Sequence, residues 1–320
     1  MKIKLSSFLQ LKPNVFLYRH LGWRMAFFYM QFLGCLYFTL NRKEKRTIAG
    51  SIKELYGKSR NQEEVKVITG RVFRGIMAHY YEKIFNAYVQ IDVLKSFFER
   101  NIETGSLGKI DQALKSGKGV LFVTGHYGGI EYIPIFLALN NYPISVVAKF
   151  ATPQLKQTLQ EKTKGLGLRI IDAREQRSLV GSIIRELRAN RILFFECDEI
   201  EEWKPSQGER MVFLKKMVGI DRTISVLKKR TDSEIIFGIL HRYSIERYRL
   251  IIRNWQDLIS GVKEIPISIG EVLLKHLENY IYSYPEEWYQ WKNFAAIGSS
   301  SVSQRKVSRP VQTFPKPALS

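Results

Sequence analysis

The amino-acid sequence predicts an α/β fold with a mixed, mainly parallel sheet flanked by helices. From residue 117 onward, short apolar runs alternate with segments of helical periodicity, an order typical of sheets with crossover helices. Most of these runs are uniformly apolar rather than alternating, as expected of strands covered on both faces. The chain has 320 residues, 45% hydrophobic and 25% charged, so it is long enough to bury a sizeable core.

The first elements along the chain are predicted helices. The stretch LGWRMAFFYMQFLGCLYFTL at 21–40 is apolar and has basic residues on both sides. It predicts a membrane-associated helix that either spans or lies on the bilayer, with a buried core helix as the alternative. Residues 47–100 then show amphipathic helical spacing without proline.

Strands and further helices follow. The predicted strands are GVLFVT, ISVVAKF, LRIID, RILFFECD, MVFL and EIIFGIL. Segments such as SLVGSIIRELRAN between them have helical periodicity, and a late helix, GEVLLKHLENYIYSY, precedes PEEWYQWKNF. The last residues are rich in Ser, Pro, Lys and Arg without an apolar period, which predicts a disordered tail. We therefore divide the chain into a basic and apolar anchor segment at 1–46, an α/β domain at 47–296 and a basic tail at 297–320.

Charge and cysteine content narrow the classes of partner. The formal net charge of +20 indicates an anionic partner, which could be a nucleic acid, an anionic membrane surface, an acidic carrier protein or a phosphorylated substrate. Lys and Arg are spread along the chain and no nucleic-acid recognition motif is present, so we expect no nucleic-acid partner. The chain has two cysteines, too few for a disulfide framework, which favours a reducing, cytosol-facing compartment.

The segment LFVTGHYGGIEYIP at 121–134 carries the strongest chemical pattern. A predicted strand ends at a glycine and is followed by His126, two more glycines and Glu131. The carboxyl ends of strands are where ligands bind in such sheets. We expect Glu131 to orient His126 as a general base, and backbone N–H groups near Gly128 to face a developing oxyanion. An ordinary strand-to-helix turn is the alternative.

The same spacing occurs a second time. His241 and Glu246 lie between two strand-like runs in which Arg alternates with Tyr and Leu. This pattern predicts a solvated hairpin without a catalytic role. No serine or cysteine stands in a nucleophile-elbow context, and no metal-binding spacing is evident, so we expect direct attack by a substrate hydroxyl, with no metal.

Several blocks together resemble a known family. GHYGGIEY resembles the His-x-x-x-x-Asp/Glu motif of the lysophospholipid acyltransferase superfamily, in its lipid A biosynthesis branch. The blocks SVVAKF, DAREQRSLVGSIIRELRANRILFFECDE, ERMVFLKKMVGI and YPEEWYQW are similar to further family segments in the same order. Lys149 takes the position of the family's usual Arg, Arg174 and Asp198 match its Arg and Asp, Glu199 replaces its usual Gln, and LKKMVG lacks two phenylalanines.

The resemblance implies a glycerolipid acyltransferase-like fold and a membrane-associated O-acyltransferase at the bacterial inner membrane, with its active site facing the cytoplasm. Acyl carrier protein or acyl-CoA would be the co-substrate, with no cofactor, and a lipid A precursor the acceptor. Another membrane glycolipid is the alternative acceptor, and a basic binding protein without catalysis is the alternative of another class. Candidate groups for the substrate are Lys149, Lys162, Lys164, Arg174 and Asp198, although a solvated face would explain most of the cations equally well.

Overall fold

A computed structural model describes residues 5–9, 11–105, 107–148, 153–175, 178–199, 210–260 and 268–294 of the protein. The predicted tail at 297–320 and the predicted substrate cation Lys149 lie outside these ranges. Within them, the helices α1 to α14 are Leu5–Leu9, Lys12–His20, Trp23–Leu40, Arg42–Tyr56, Gln62–Tyr88, Ile91–Asn101, Gly108–Lys115, Ile133–Leu139, Pro153–Thr163, Leu179–Arg188, Thr223–Thr231, Trp255–Ile259, Ile269–Ser283 and Trp291–Phe294. Two 3₁₀ turns span Ile130–Tyr132 and Pro285–Glu287.

The described residues also form a seven-stranded sheet and a separate two-stranded sheet. The strands β1 to β9 are Ile102–Thr104, Val120–Thr124, Ile144–Ala148, Arg169–Asp172, Ile192–Glu196, Arg210–Phe213, Lys216–Gly219, Glu234–Arg242 and Tyr248–Asn254. The order in the large sheet is β1-β9-β8-β2-β5-β3-β4. All pairs in it are parallel except β8 with β9. The predicted mainly parallel sheet with flanking helices is therefore confirmed.

The centre of the sheet is buried because its strands carry apolar side chains on both faces. Every residue of β2, Val120–Thr124, is buried, and β5 and β8 pair with it on either side. Each of the six predicted apolar runs overlaps a strand. MVFL, however, belongs to β6, which pairs with β7 in the small sheet instead of entering the large one.

The apolar stretch at 21–40 forms α3, whose two sides have different surroundings. One side is buried in the same core as the rest of the chain and contacts α5. Among the described residues, no helix is long and apolar enough to cross a membrane. The predicted anchor segment thus shares its packing with the α/β domain, while its membrane role stays a prediction.

The helix α5 connects the parts of the fold that surround His126. It begins at a capping box formed by Asn61 and Glu64, which satisfies free N–H groups at its first turn. It contacts α3, both 3₁₀ turns and α9. At Gly75 an added Cβ would lie 1.8 Å from the backbone oxygen of Glu286, so only glycine permits this approach of α5 to the C-terminal turn.

Candidate active site

The turn that carries His126 is fixed by backbone hydrogen bonds from distant segments. Gly128 has φ +55°, a conformation that favours glycine, and an added Cβ there would lie 2.1 Å from the oxygen of Leu240. Its N–H donates to the oxygen of Glu287 at 2.8 Å, and the N–H of Tyr289 donates to the oxygen of His126 at 3.2 Å. The backbone geometry therefore differs from our expectation, because the Gly128 N–H already has an acceptor and is not available to an oxyanion.

Asp198 accepts hydrogen bonds from three N–H groups, two of His126 and one of Trp288. Its carboxylate follows β5, is fully buried, and lies 2.8 Å from Nδ1 of the His126 ring. The backbone N–H of His126 donates to both carboxylate oxygens at 2.9 and 3.0 Å. Trp288 donates its Nε1–H to Oδ2 at 2.7 Å. This arrangement places the proton of a neutral imidazole on Nδ1 and leaves Nε2 as the basic nitrogen.

Two further carboxylates face Nε2. Glu196 Oε2 lies 3.3 Å and Glu199 Oε1 3.5 Å from that nitrogen. Burial alone would lower the pKa of His126, but the charges of Asp198, Glu196 and Glu199 outweigh it and raise the pKa to about 10. Burial, with the neighbouring Glu199 adding to it, raises the pKa of Glu196 above its ordinary value. The free protein therefore holds His126 mainly as an imidazolium at neutral pH.

Glu131, the expected orienting residue, lies in a different group of side chains. Its carboxylate contacts Lys83 Nζ at 3.1 Å and His79 Nε2 at 3.7 Å. The Asn86 side chain donates to its backbone oxygen at 2.8 Å. Glu131 raises the pKa of Lys83, whereas burial lowers the pKa of His79, so the ionic partner of Glu131 is Lys83. The structure therefore brings His126 together with Asp198 and not with Glu131.

An aromatic ring separates these two groups. The ring of Tyr289 stacks on His79 with centroids 3.4 Å apart and meets His126 edge-on at 5.0 Å. Tyr289 and Trp288 both belong to the block YPEEWYQW, whose Trp288 also forms a β-bridge with Tyr127. The C-terminal block thus packs directly around the candidate base.

A buried ionic network lies behind this block. Arg242 forms ion pairs with Glu82 and Glu287, and all three side chains are buried. Tyr248 donates to Glu82 at 2.9 Å. Burial raises the pKa of Glu82 to about 7, and the charge of Arg242 opposes that rise. The network ties α5 to β8 and to the turn whose Glu287 oxygen accepts from Gly128.

The other predicted cations are not assembled around His126 in the described structure. The Lys162 ammonium donates to the backbone oxygens of Asn86 and Val89 near the end of α5, and burial lowers its pKa to about 7. Lys164 and Arg174 are exposed. The Arg174 backbone N–H donates to the Asp172 carboxylate at 3.0 Å. A phosphate-binding role for these residues stays a prediction.

The second His-x-x-x-x-Glu segment is a hairpin whose turn is solvated as predicted, whereas its His241 end is buried. The exposed residues of the turn are Tyr243, Ser244, Ile245 and Arg247. His241 is buried in β8, and its Nδ1 lies 2.8 Å from the Tyr127 hydroxyl. Burial lowers its pKa to about 4. Glu246 instead pairs with Arg24 at the surface. The sheet covers His241 because β9 pairs with β8 along its length and Tyr284 packs on the imidazole ring.

One group of side chains has a donor set suited to a metal ion. Within the described residues, Nε2 of His126 and carboxylate oxygens of Glu196 and Glu199 all lie within 4.8 Å of one another. One imidazole nitrogen and two carboxylates form a set that Zn²⁺ accepts. A cation bound there would occupy the basic nitrogen, so it would compete with general-base chemistry.

Some residues of the site carry signals that sequence analysis left unused. Glu196 lies two positions before Asp198, and side chains two apart in a strand share a face. His79 and Lys83 lie four apart on α5, a spacing that places them on one helical face. Polar side chains at these spacings within apolar segments could have identified Glu196, His79 and Lys83 as candidate site residues. Trp288 was identified only as part of an aromatic block.

Comparison with known protein families finds a match that covers most of the chain. The model of a family described as bacterial lipid A biosynthesis acyltransferase matches residues 14–293. This range contains every described residue of the site. No curated protein matches the chain.

Proposed function

The chain belongs to the bacterial lipid A biosynthesis acyltransferases, and on that premise we propose that it transfers a fatty acyl chain from an acyl thioester to a hydroxyl of a membrane glycolipid. The acceptor we propose first is a lipid A precursor, with another membrane glycolipid as the alternative. The donor is an acyl carrier protein thioester or acyl-CoA. Both donors are anionic, in keeping with the net charge of +20.

The observation that carries the proposal is the 2.8 Å contact between His126 Nδ1 and Asp198. In the neutral form of the imidazole this contact keeps the ring proton on Nδ1, so that Nε2 takes the proton of the acceptor hydroxyl. That oxygen attacks the thioester carbonyl, the tetrahedral intermediate collapses with cleavage of the C–S bond, and the imidazolium returns the proton to the thiolate. Asp198 positions the ring throughout, and the acceptor hydroxyl replaces Glu196 and Glu199 at Nε2.

Glu131 has an indirect role in this proposal. It holds Lys83, whose side chain is 46% exposed, beside the site. A cation there can stabilise the oxyanion of the tetrahedral intermediate or a phosphate of the acceptor. This assignment gives the motif carboxylate a function that does not require contact with His126.

The proposed location is the bacterial inner membrane, with the site facing the cytoplasm. The basic chain and the exposed side of α3 support a membrane surface as partner. The two free cysteines agree with a reducing compartment on the cytoplasmic side.

The test is acyl transfer by the purified protein in detergent. Isotope-labelled acyl carrier protein thioester or acyl-CoA is supplied with a lipid A precursor, and the product is identified by mass spectrometry. We expect a labelled ester on the acceptor, and turnover with one donor well above the other. A phosphorylated acceptor preferred over its dephosphorylated form supports the lipid A precursor. Absence of transfer from both donors to every glycolipid offered would refute the proposal.

A further inference from the structure

The carboxyl ends of β2 and β5 bring three candidate metal ligands to one edge of the sheet. The two strands are parallel neighbours, and Thr124 at the end of β2 pairs with Glu196 at the end of β5. His126 follows β2 by two positions, and Glu199 follows β5 by three. The ligands therefore come from separate segments, which is why the sequence shows no metal-binding spacing.

The distances between these side chains match those between ligands of one zinc ion. Nitrogen and oxygen ligands lie about 2.0–2.2 Å from a tetrahedral Zn²⁺ ion, which sets neighbouring ligand atoms roughly 3.3–3.6 Å apart. His126 Nε2 lies 3.3 Å from Glu196 Oε2 and 3.5 Å from Glu199 Oε1. One ligand atom from each residue falls within 4.8 Å of the other two. An ion between the three side chains thus requires little movement of any of them.

Asp198 holds the imidazole in the orientation that a metal ion requires. Its fully buried carboxylate lies 2.8 Å from Nδ1 of His126, which keeps the proton of the neutral ring on that nitrogen. The lone pair of Nε2 is then directed towards Glu196 and Glu199. Histidines that bind metal ions usually donate their second N–H to a carboxylate or a carbonyl in this way. The hydrogen bond of Asp198 therefore supports metal binding independently of the two glutamates.

The charge and the exposure of the two glutamates favour a cation from solvent. Within the described ranges, neither Glu196 nor Glu199 forms an ion pair with Lys or Arg, and their ionic partner is the imidazole of His126. The side chain of Glu199 is 43% exposed and that of Glu196 is 30% exposed, whereas that of His126 is 10% exposed. An ion therefore reaches Nε2 from the side of the carboxylates.

We propose that His126, Glu196 and Glu199 bind a Zn²⁺ ion that reversibly inhibits acyl transfer. The ion occupies the lone pair of Nε2, so the imidazole cannot accept the proton of the acceptor hydroxyl while the ion is bound. One nitrogen and two carboxylate oxygens suit Zn²⁺, whereas Mg²⁺ prefers six oxygen ligands in an octahedral arrangement. The binding of the ion is independent of the proposed function, and only the inhibition rests on it.

Equilibrium dialysis of the tag-free, full-length protein against Zn²⁺, followed by metal analysis, measures binding without an activity assay. We expect the wild-type chain to bind a single zinc ion and H126A to lose it. Loss of an outer-shell partner weakens metal affinity about 10–100-fold, so E199Q, which lacks a direct ligand, should bind zinc at least that much more weakly. Background zinc in the wild type, or wild-type zinc affinity in both variants, would overturn the proposal.

Glu131→Gln is the matched control for E199Q. It also removes one carboxylate close to His126 in sequence, but that carboxylate contacts Lys83 and His79. We expect E131Q to bind zinc with wild-type affinity. An equal loss of zinc affinity in E131Q and E199Q would mean that total negative charge, and not a defined set of ligands, holds the ion, and would overturn the proposal.

Acyl-transfer assays test the inhibition and separate it from the proposed function. Zn²⁺ should inhibit the wild type, a chelator should restore its rate, and Mg²⁺ at the same concentration should not inhibit. The zinc concentration for half-inhibition of E199Q, measured against its own zinc-free rate, should rise by the same factor as its dissociation constant. Zinc that binds without inhibiting, or that raises the rate, would overturn the proposal. A wild type that binds zinc but transfers no acyl group with or without metal would refute the proposed function and leave the zinc site standing.

Discussion

Replacing Asp198 by Asn tests the orientation of the proposed base. The substitution preserves shape but leaves a single acceptor oxygen where the buried carboxylate accepts from His126 Nδ1 and from Trp288 Nε1 at 2.8 and 2.7 Å. If the amide oxygen faces Trp288, the amide NH₂ faces Nδ1 and stabilises the tautomer that lacks a basic Nε2. If it faces Nδ1, the indole N–H loses its acceptor. Either arrangement weakens catalysis or leaves a buried donor unpaired.

The expected magnitudes follow from these two outcomes. Loss of the orienting carboxylate in a Ser-His-Asp triad lowers kcat about 10⁴-fold, so we expect D198N to lower kcat by roughly 10³–10⁴-fold. One unpaired buried donor costs about 1–3 kcal/mol of the free energy of unfolding. Steady-state kinetics with saturating acceptor measures the first quantity, and urea denaturation measures the second.

The matched comparison is Glu131→Gln. Because Glu131 contacts Lys83 and His79, E131Q should lower kcat far less than D198N does. A folded D198N protein with kcat within tenfold of the wild type, together with an inactive E131Q protein, would refute the reasoning. That result would mean that Glu131, and not Asp198, orients His126.

Three other changes have defined outcomes. Lys83→Met should lower kcat as much as E131Q does, and the double variant should lower kcat no further than either single one. Additive losses of kcat in this double-mutant cycle would contradict a shared role of the two residues. The pKa of about 10 for His126 predicts that kcat/KM rises with pH up to that range, because the imidazolium is inactive. Glu199→Gln removes one of the charges that raise this pKa and should shift the rise in kcat/KM to lower pH, whereas an unshifted pH profile would exclude the charge effect. Arg242→Met leaves the buried Glu82 and Glu287 without their cation and should lower the free energy of unfolding by about 3–5 kcal/mol, and a change below 1 kcal/mol in urea denaturation would contradict this.

Most of the strands were predictable because apolar composition is local information, whereas β1, β7 and the order of the strands in the sheet were not predicted. Val120–Thr124 and Ile192–Glu196 are uniformly apolar except at their ends, and parallel strands bring those ends to one edge. His126 and Asp198 both follow such ends, which is why sequence analysis could select them as candidates. The hydrogen bond between Asp198 and Nδ1 of His126 was not predicted, because the His-x-x-x-x-Glu spacing indicated a partner within the same turn.

The partners of Glu131 and His241 depend on contacts between distant segments. Glu131 lies in a 3₁₀ turn next to α5, which presents Lys83 to its carboxylate, and no local pattern encodes that approach. Arg242 follows His241 in an alternating polar pattern typical of an exposed strand. It is buried because Glu82, far away in sequence, supplies a carboxylate in the interior. Arg242 is therefore buried despite its local sequence pattern, because it pairs with a carboxylate from a remote segment.

The proposed chemistry is tested most directly by the fate of an isotope-labelled acyl group when His126 is replaced by Ala. We expect the wild-type protein to form a labelled glycolipid ester and H126A, although folded, to form none above background. His241→Ala, which removes a buried imidazole bonded to Tyr127, should lose stability but keep turnover per folded molecule. Labelled product from H126A at the wild-type rate, or its loss only in H241A, would contradict the assignment of His126 as the general base.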